Sequence, residues 1–72
     1  MDIKYAIGLR IKSLRLIKSI SQQQLASLTG LNRSFLSHIE SGERNISTET
    51  LIKLTNGINV SLRVFFDDDA FN

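Results

Sequence analysis

Seventy-two residues with no Cys and a single His leave room for one domain, exclude a disulfide framework and argue against a structural zinc site. No apolar run approaches the ~18 residues of a membrane span and the N-terminus lacks a secretory pattern, so a cytoplasmic protein is expected. The net charge of +2 is uneven: residues 1–44 hold seven Lys or Arg against three acids, and residues 45–72 hold two against four, a basic front suited to a polyanion met on one side.

Apolar residues recur at helical spacing without sustained alternation and predict five short helices. The first runs from about Ile3 to Lys18, with Ile7, Ile11 and Leu14 inward and Arg10, Lys12, Arg15 and Lys18 outward. Leu9, Leu16 and Ile17 exceed what one buried stripe needs, so part of this helix is expected to meet a partner or helix five. Ser21 caps the second helix, and Gln24 completes an S-x-x-Q capping box. Leu25, Ala26 and Leu28 follow, and Gly30 ends the helix as a left-handed residue. Asn32 caps the third helix, which passes through Arg33, Leu36 and Ile39 to about Ser41 and stops at Gly42. After the polar loop Glu43-Arg44-Asn45, Ser47 caps the fourth, with Glu49 in its first turn. Leu51 and Leu54 face inward there, and Gly57 is the expected stop. Ser61 caps a fifth helix containing Leu62, Phe65 and Phe66. Residues 67–72, with three Asp, are expected to fray as an acidic tail of the one domain spanning residues 1–72.

Helices two and three are joined by Gly30-Leu31-Asn32, too short for anything but a tight turn, which fixes them at a steep angle as in DNA-binding helix-turn-helix units. Ala26 must be small where the two helices approach. Gly30 must take a backbone that a Cβ disfavours. Leu25, Leu31, Leu36 and Ile39 lock the pair to the core. Thr29 departs from the pattern, since an apolar residue is usual there.

The run S-Q-Q-Q-L-A-S-L-T-G-L-N-R-S-F-L-S-H-I-E-S-G resembles the Cro/CI-type (Xre-type) helix-turn-helix family. The following R-N-I-S-T-E-T-L-I-K-L-T-N-G-I-N-V-S is similar to that family's fourth helix and its approach to the fifth. The resemblance covers about residues 7–66. Within it, N-R-S-F-L-S-H-I-E, R-N-I-S and Phe65-Phe66 resemble the controller proteins of restriction–modification systems, although phage repressors and antitoxin-type regulators share most of these residues. The resemblance implies an all-α, compact five-helix, lambda-repressor-like DNA-binding domain whose helix-turn-helix is formed by helices two and three.

With Leu36 and Ile39 inward, the third helix presents Arg33, Ser34, Ser37, His38 and Ser41 on its outer arc. Base contacts are expected from its N-terminal outer residues. Arg33 can fork onto guanine O6 and N7, and Ser34 and Ser37 can donate or accept. Phe35 sits between arc and core: by resemblance to the controllers its ring reaches a thymine methyl, and the alternative tucks it against helix two. His38 has no Cys, second His or Ser–Asp pair to make it a ligand or a catalytic base, so a groove-facing imidazole is expected. The resemblance assigns Gln22 to a phosphate and Arg44 to a phosphate or the minor-groove edge, the alternative for Arg44 being a pair with Glu40. Asn32, Ser41 and Asn45, at the ends of the third helix and in its loop, join them as phosphate contacts. Val64, Phe65 and Phe66 are the candidate dimer surface, with one Phe in the core, since so short a helix cannot hide them all.

A domain of this length buries only ~60% of its unfolded surface, so a partner subunit would help it. The expected function is a sequence-specific transcriptional regulator that binds a near-palindromic operator as a homodimer. Double-stranded DNA is its partner, with paired dimers on DNA and RNA polymerase contact as further expectations. No cofactor, metal or membrane is expected. A phage-type repressor or antitoxin regulator and a helical interaction module without DNA binding are the alternatives. An enzyme has no support, for there is no acid–base carboxylate pair, phosphate-cradling Gly loop or metal cluster.

Overall fold

Each helix starts on a short polar side chain that accepts from the first-turn amides. In the computed structural model, which describes residues 1–72, Asp2 caps α1 (Ile3–Ile17), Ser21 caps α2 (Gln22–Thr29) and Asn32 caps α3 (Arg33–Glu40). Ser47 caps α4 (Thr48–Ile58), and Ser61 caps α5 (Leu62–Phe66). The capping box closes reciprocally: Ser21 Oγ accepts from the Gln24 amide at 3.0 Å, and Gln24 Oε1 accepts from the Ser21 amide at 2.8 Å. There are no strands.

Helix ends follow backbone handedness. Gly30 takes φ 74°, in the left-handed region, which turns α2 into α3. Gly57, expected to stop α4, lies within it instead, and the helix ends at Asn59 with φ 63°. The reason is packing: a Cβ on Gly57 would stand 2.7 Å from Thr29 Cγ2 and 3.0 Å from Leu25 Cδ1, so α4 crosses α2 at this glycine. Thr29 fits the same contact. Its hydroxyl donates back to the Leu25 carbonyl at 2.8 Å, which leaves its methyl to fill the apolar position.

The core joins all five helices: Ile11 and Leu14 from α1, Leu25 and Ala26 from α2, and Leu36 and Ile39 from α3 meet Leu51, Leu54, Ile58 and Phe65. Gly8 lets α1 lie directly on the end of α3, where a Cβ would fall 2.1 Å from the Ile39 carbonyl oxygen. That contact sets the depth of α3 against the rest of the molecule.

Three expectations change here. Arg15, expected outward, is buried. Arg10, also expected outward, is half-buried: its guanidinium donates to the carbonyls of Phe65 and Val64, each at 2.8 Å, and pairs with Asp68 at 3.3 Å. It thereby gathers carbonyls at the end of α5, where the Val64 carbonyl also accepts from the Asp67 amide at 3.2 Å. Residues 67–72, expected to fray, carry a 3-10 turn over Asp69–Phe71, capped by Asp68 Oδ1 on the Ala70 amide at 2.9 Å. Phe71 packs against the core and lies 6.0 Å from the Phe65 ring and 4.9 Å from the Phe66 ring.

Candidate nucleic-acid interface

Leu36, Ile39 and Glu40 are the buried residues of α3, so the opposite arc faces solvent. Arg33, Ser34, Ser37, His38 and Ser41 are all exposed on it. The helix is held at both ends. Asn32 Oδ1 accepts from the amides of Ser34 and Phe35 at 2.8 and 3.2 Å, and Ser41 Oγ donates to the His38 carbonyl at 3.0 Å. Arg33 belongs to none of the ion pairs and projects from the first turn. Phe35 is half-buried against the core, and the Arg44 guanidinium lies 5.5 Å from its ring centroid. This cation–π contact brings Arg44 back from its loop to the flank of α3. It also shows that Arg44 does not pair with Glu40.

Glu40 has another partner. Arg15 Nε and Nη2 donate to the two Glu40 oxygens at 2.8 and 2.9 Å, with the side chains 7% and 3% exposed. Arg15 Nη1 also donates to the Ile20 carbonyl at 2.9 Å. The fork therefore ties α1, the turn before α2 and the end of α3 into one unit. Gln22 joins it, since its Nε2 donates to Glu40 Oε1 at 3.1 Å. One amide hydrogen remains on Gln22, at the N-terminus of α2, pointed by a carboxylate that cannot itself move. Of the other α1 bases, Lys12 is exposed, and Lys18 donates to the Asn59 carbonyl at 2.9 Å.

His38 Nδ1 bonds the Glu43 carboxylate, and both side chains stay more than half exposed, at 51% and 60%. The hydrogen bond and the positive charge of the imidazole hold the Glu43 carboxyl below its ordinary range, with a smaller contribution from Ser41. Asn45 is exposed in the loop beyond. Asn32, Arg33 and His38 thus lie on α3 or its cap, while Gln22 and Arg44 reach α3 through Glu40 and Phe35.

The Helix-turn-helix family profile matches residues 11–65. The chain belongs to this helix-turn-helix family. Within the family it stands among the restriction–modification controllers. It is 40% identical to the control protein C.SmaI of Serratia marcescens over 62 residues, which cover 86% of this chain and 74% of that one. It is 38% identical to the control protein C.MunI of Mycoplasma sp over 68 residues, covering 93% and 92%. The controller C.Esp1396I, solved as a tetramer in complex with its natural 35 base-pair operator, superposes with a TM-score of 0.85 at 34% identity. That match covers 89% of this chain and 84% of that one.

On α5 the candidate dimer residues divide between core and surface. Phe65 is wholly buried and is corrected to the core. Its ring packs edge-on to Phe66 at 5.0 Å. Val64, 47% exposed, and Phe66, 38% exposed, remain on the surface, and Leu62 is exposed beside them. Sequence reasoning missed Arg15, Arg10 and Gly8. For Arg15 the period was the signal, since Gly8, Ile11 and Arg15 share one helix face. For Arg10 there was none, because its acceptors lie more than fifty residues away.

Proposed function

We propose that this protein regulates transcription by binding a near-palindromic operator as a homodimer, in the manner of the restriction–modification controllers it resembles. The observation that carries the reading is the exposed arc of α3, with Arg33 at its start, on a helix anchored from behind by the buried Arg15–Glu40 fork. In this reading α3 enters the major groove. Arg33 donates both guanidinium edges to a guanine, and Ser34, Ser37 and His38 meet neighbouring base edges. Phe35, under Arg44, presents a ring edge to a thymine methyl. Gln22, Asn32, Ser41, Arg44 and Asn45 bracket the groove through phosphates and fix the register.

Two copies joined through Val64 and Phe66 would place two α3 helices about one DNA turn (~34 Å) apart. Paired dimers on adjacent half-sites and contact with RNA polymerase extend the same reading. Residues 1–72 act in it as one domain, in the cytoplasm, with no catalytic step. No helix is long and apolar enough to cross a membrane.

The test is fluorescence anisotropy on a palindrome recovered from random DNA, over a range of salt. A dimer neutralising ~6 phosphates should lose about 10³ in affinity between ~50 and ~200 mM salt. Affinity that stays flat over that range would contradict the reading, as would one chain per palindrome in sedimentation.

A further inference from the structure

The two nitrogens of the His38 ring are not equivalent. Nδ1 is taken by Glu43, the residue two beyond the end of the α3 cap, while Nε2 has no partner in the chain and the ring is half exposed on the outer arc of α3. A carboxylate can only accept, so the nitrogen facing it must carry a proton. In the neutral ring the other nitrogen is then a bare acceptor. The surroundings leave Glu43 in charge of that choice. On α3 itself the flanking residues Ser34, Ser37 and Ser41 are neutral, and Arg33 lies more than a turn away. Arg44 of the loop is drawn off over the Phe35 ring. From α1, the Tyr5 ring packs against Gly42 beside the same loop.

We propose that Glu43 fixes the His38 tautomer with the proton on Nδ1, so that Nε2 reads the exocyclic amino group of an adenine or cytosine in the major groove. This deepens the DNA-binding reading and rests on it. Adenine N6 and cytosine N4 are the donors of that groove, whereas guanine offers only acceptors there. Protonation reverses the preference: in the imidazolium both nitrogens donate, and Nε2–H then suits guanine N7 or O6. Glu43 is thus a positioning residue for base choice, acting through His38 without touching DNA. The lowered carboxyl of Glu43 keeps it an acceptor across this change.

Two measurements test the proposal. Nitrogen-15 spectra of the neutral ring in the free protein should show Nδ1 protonated in the wild type, with the tautomers mixed in Glu43→Ala. Sequence selection from randomised operators over a range of pH should then show one symmetric position responding to His38. The wild type should prefer an amino-bearing base there by about three- to tenfold while the ring is neutral and guanine once it is protonated. His38→Ala should lose both preferences, and Glu43→Ala should flatten the first, while the guanine read by Arg33 stays. A wild-type ring protonated on Nε2 would overturn the proposal. So would identical selected sequences for wild type and Glu43→Ala, with the DNA-binding reading left standing. Selection of no sequence by the wild type would instead remove that reading, and this proposal with it.

Discussion

Taking the carboxylate from Glu40 leaves the Arg15 guanidinium buried without its counter-charge, and Gln22 without the acceptor that points it. Glu40→Ala is therefore expected to cost about 3–5 kcal/mol in denaturant unfolding, as breaking a buried pair does. A cost below about 1 kcal/mol would mean the fork is solvated in solution. The outward position predicted for Arg15 came from reading charge before period. Its place beside Gly8 and Ile11 on one face was legible, but its carboxylate partner 25 residues on was not. His38→Ala should return the Glu43 carboxyl toward its ordinary range, followed by NMR of the side-chain carbon. A carboxyl held low stabilises the fold above its unfolded pKa and loses that contribution as pH falls through the lowered folded value. Both groups are exposed and screened, so the acid limb of the stability profile should barely change.

Two contacts at the level of elements set where α3 sits. Gly8 against the Ile39 carbonyl fixes its depth, and Asn32 fixes its first turn. Gly8→Ala must push α1 from α3 and should cost about 1–3 kcal/mol by overpacking, whereas Asn32→Ala should cost about 1 kcal/mol for the lost cap. Thermal and urea unfolding of the two variants would show both. On DNA, the flanks of α3 should separate by kind. Arg33→Ala should cost about 1–3 kcal/mol and relax choice at one base pair. Arg44→Ala should weaken all sequences alike and reduce the salt slope by about one. The helix-turn-helix was legible because its demands are local: a capping box, a glycine at the turn and two caps within twelve residues. Gly57 misled for a tertiary reason, since a glycine serves a close helix crossing as well as a helix end.

For the whole molecule, the division between core and seam runs through two adjacent aromatic residues. Phe65 closes the core, so Phe65→Ala should cost about 3–5 kcal/mol and threaten folding outright. Val64 lies outside it, so Val64→Asp should keep the helical circular dichroism yet sediment as a monomer, with operator affinity lower by about 10²-fold or more. A Val64→Asp protein that still dimerises would move the seam elsewhere. Which phenylalanine was buried could not be read from the sequence, because α5 has only five residues and its burial depends on what folds back over it. That cover is the 3-10 turn, held down by Arg10 and filled by Phe71. An acidic run reads as a solvated tail until its half-buried arginine partner, Arg10, is placed.

Whether α3 reads DNA is decided by selecting fragments of the source genome with the purified protein. The wild type should enrich a short palindrome beside an endonuclease or methyltransferase gene, and an Arg33→Ala, Arg44→Ala variant that remains folded should not. Failure of the wild type to enrich any sequence at low salt, or equal enrichment by the variant, would contradict DNA reading by α3.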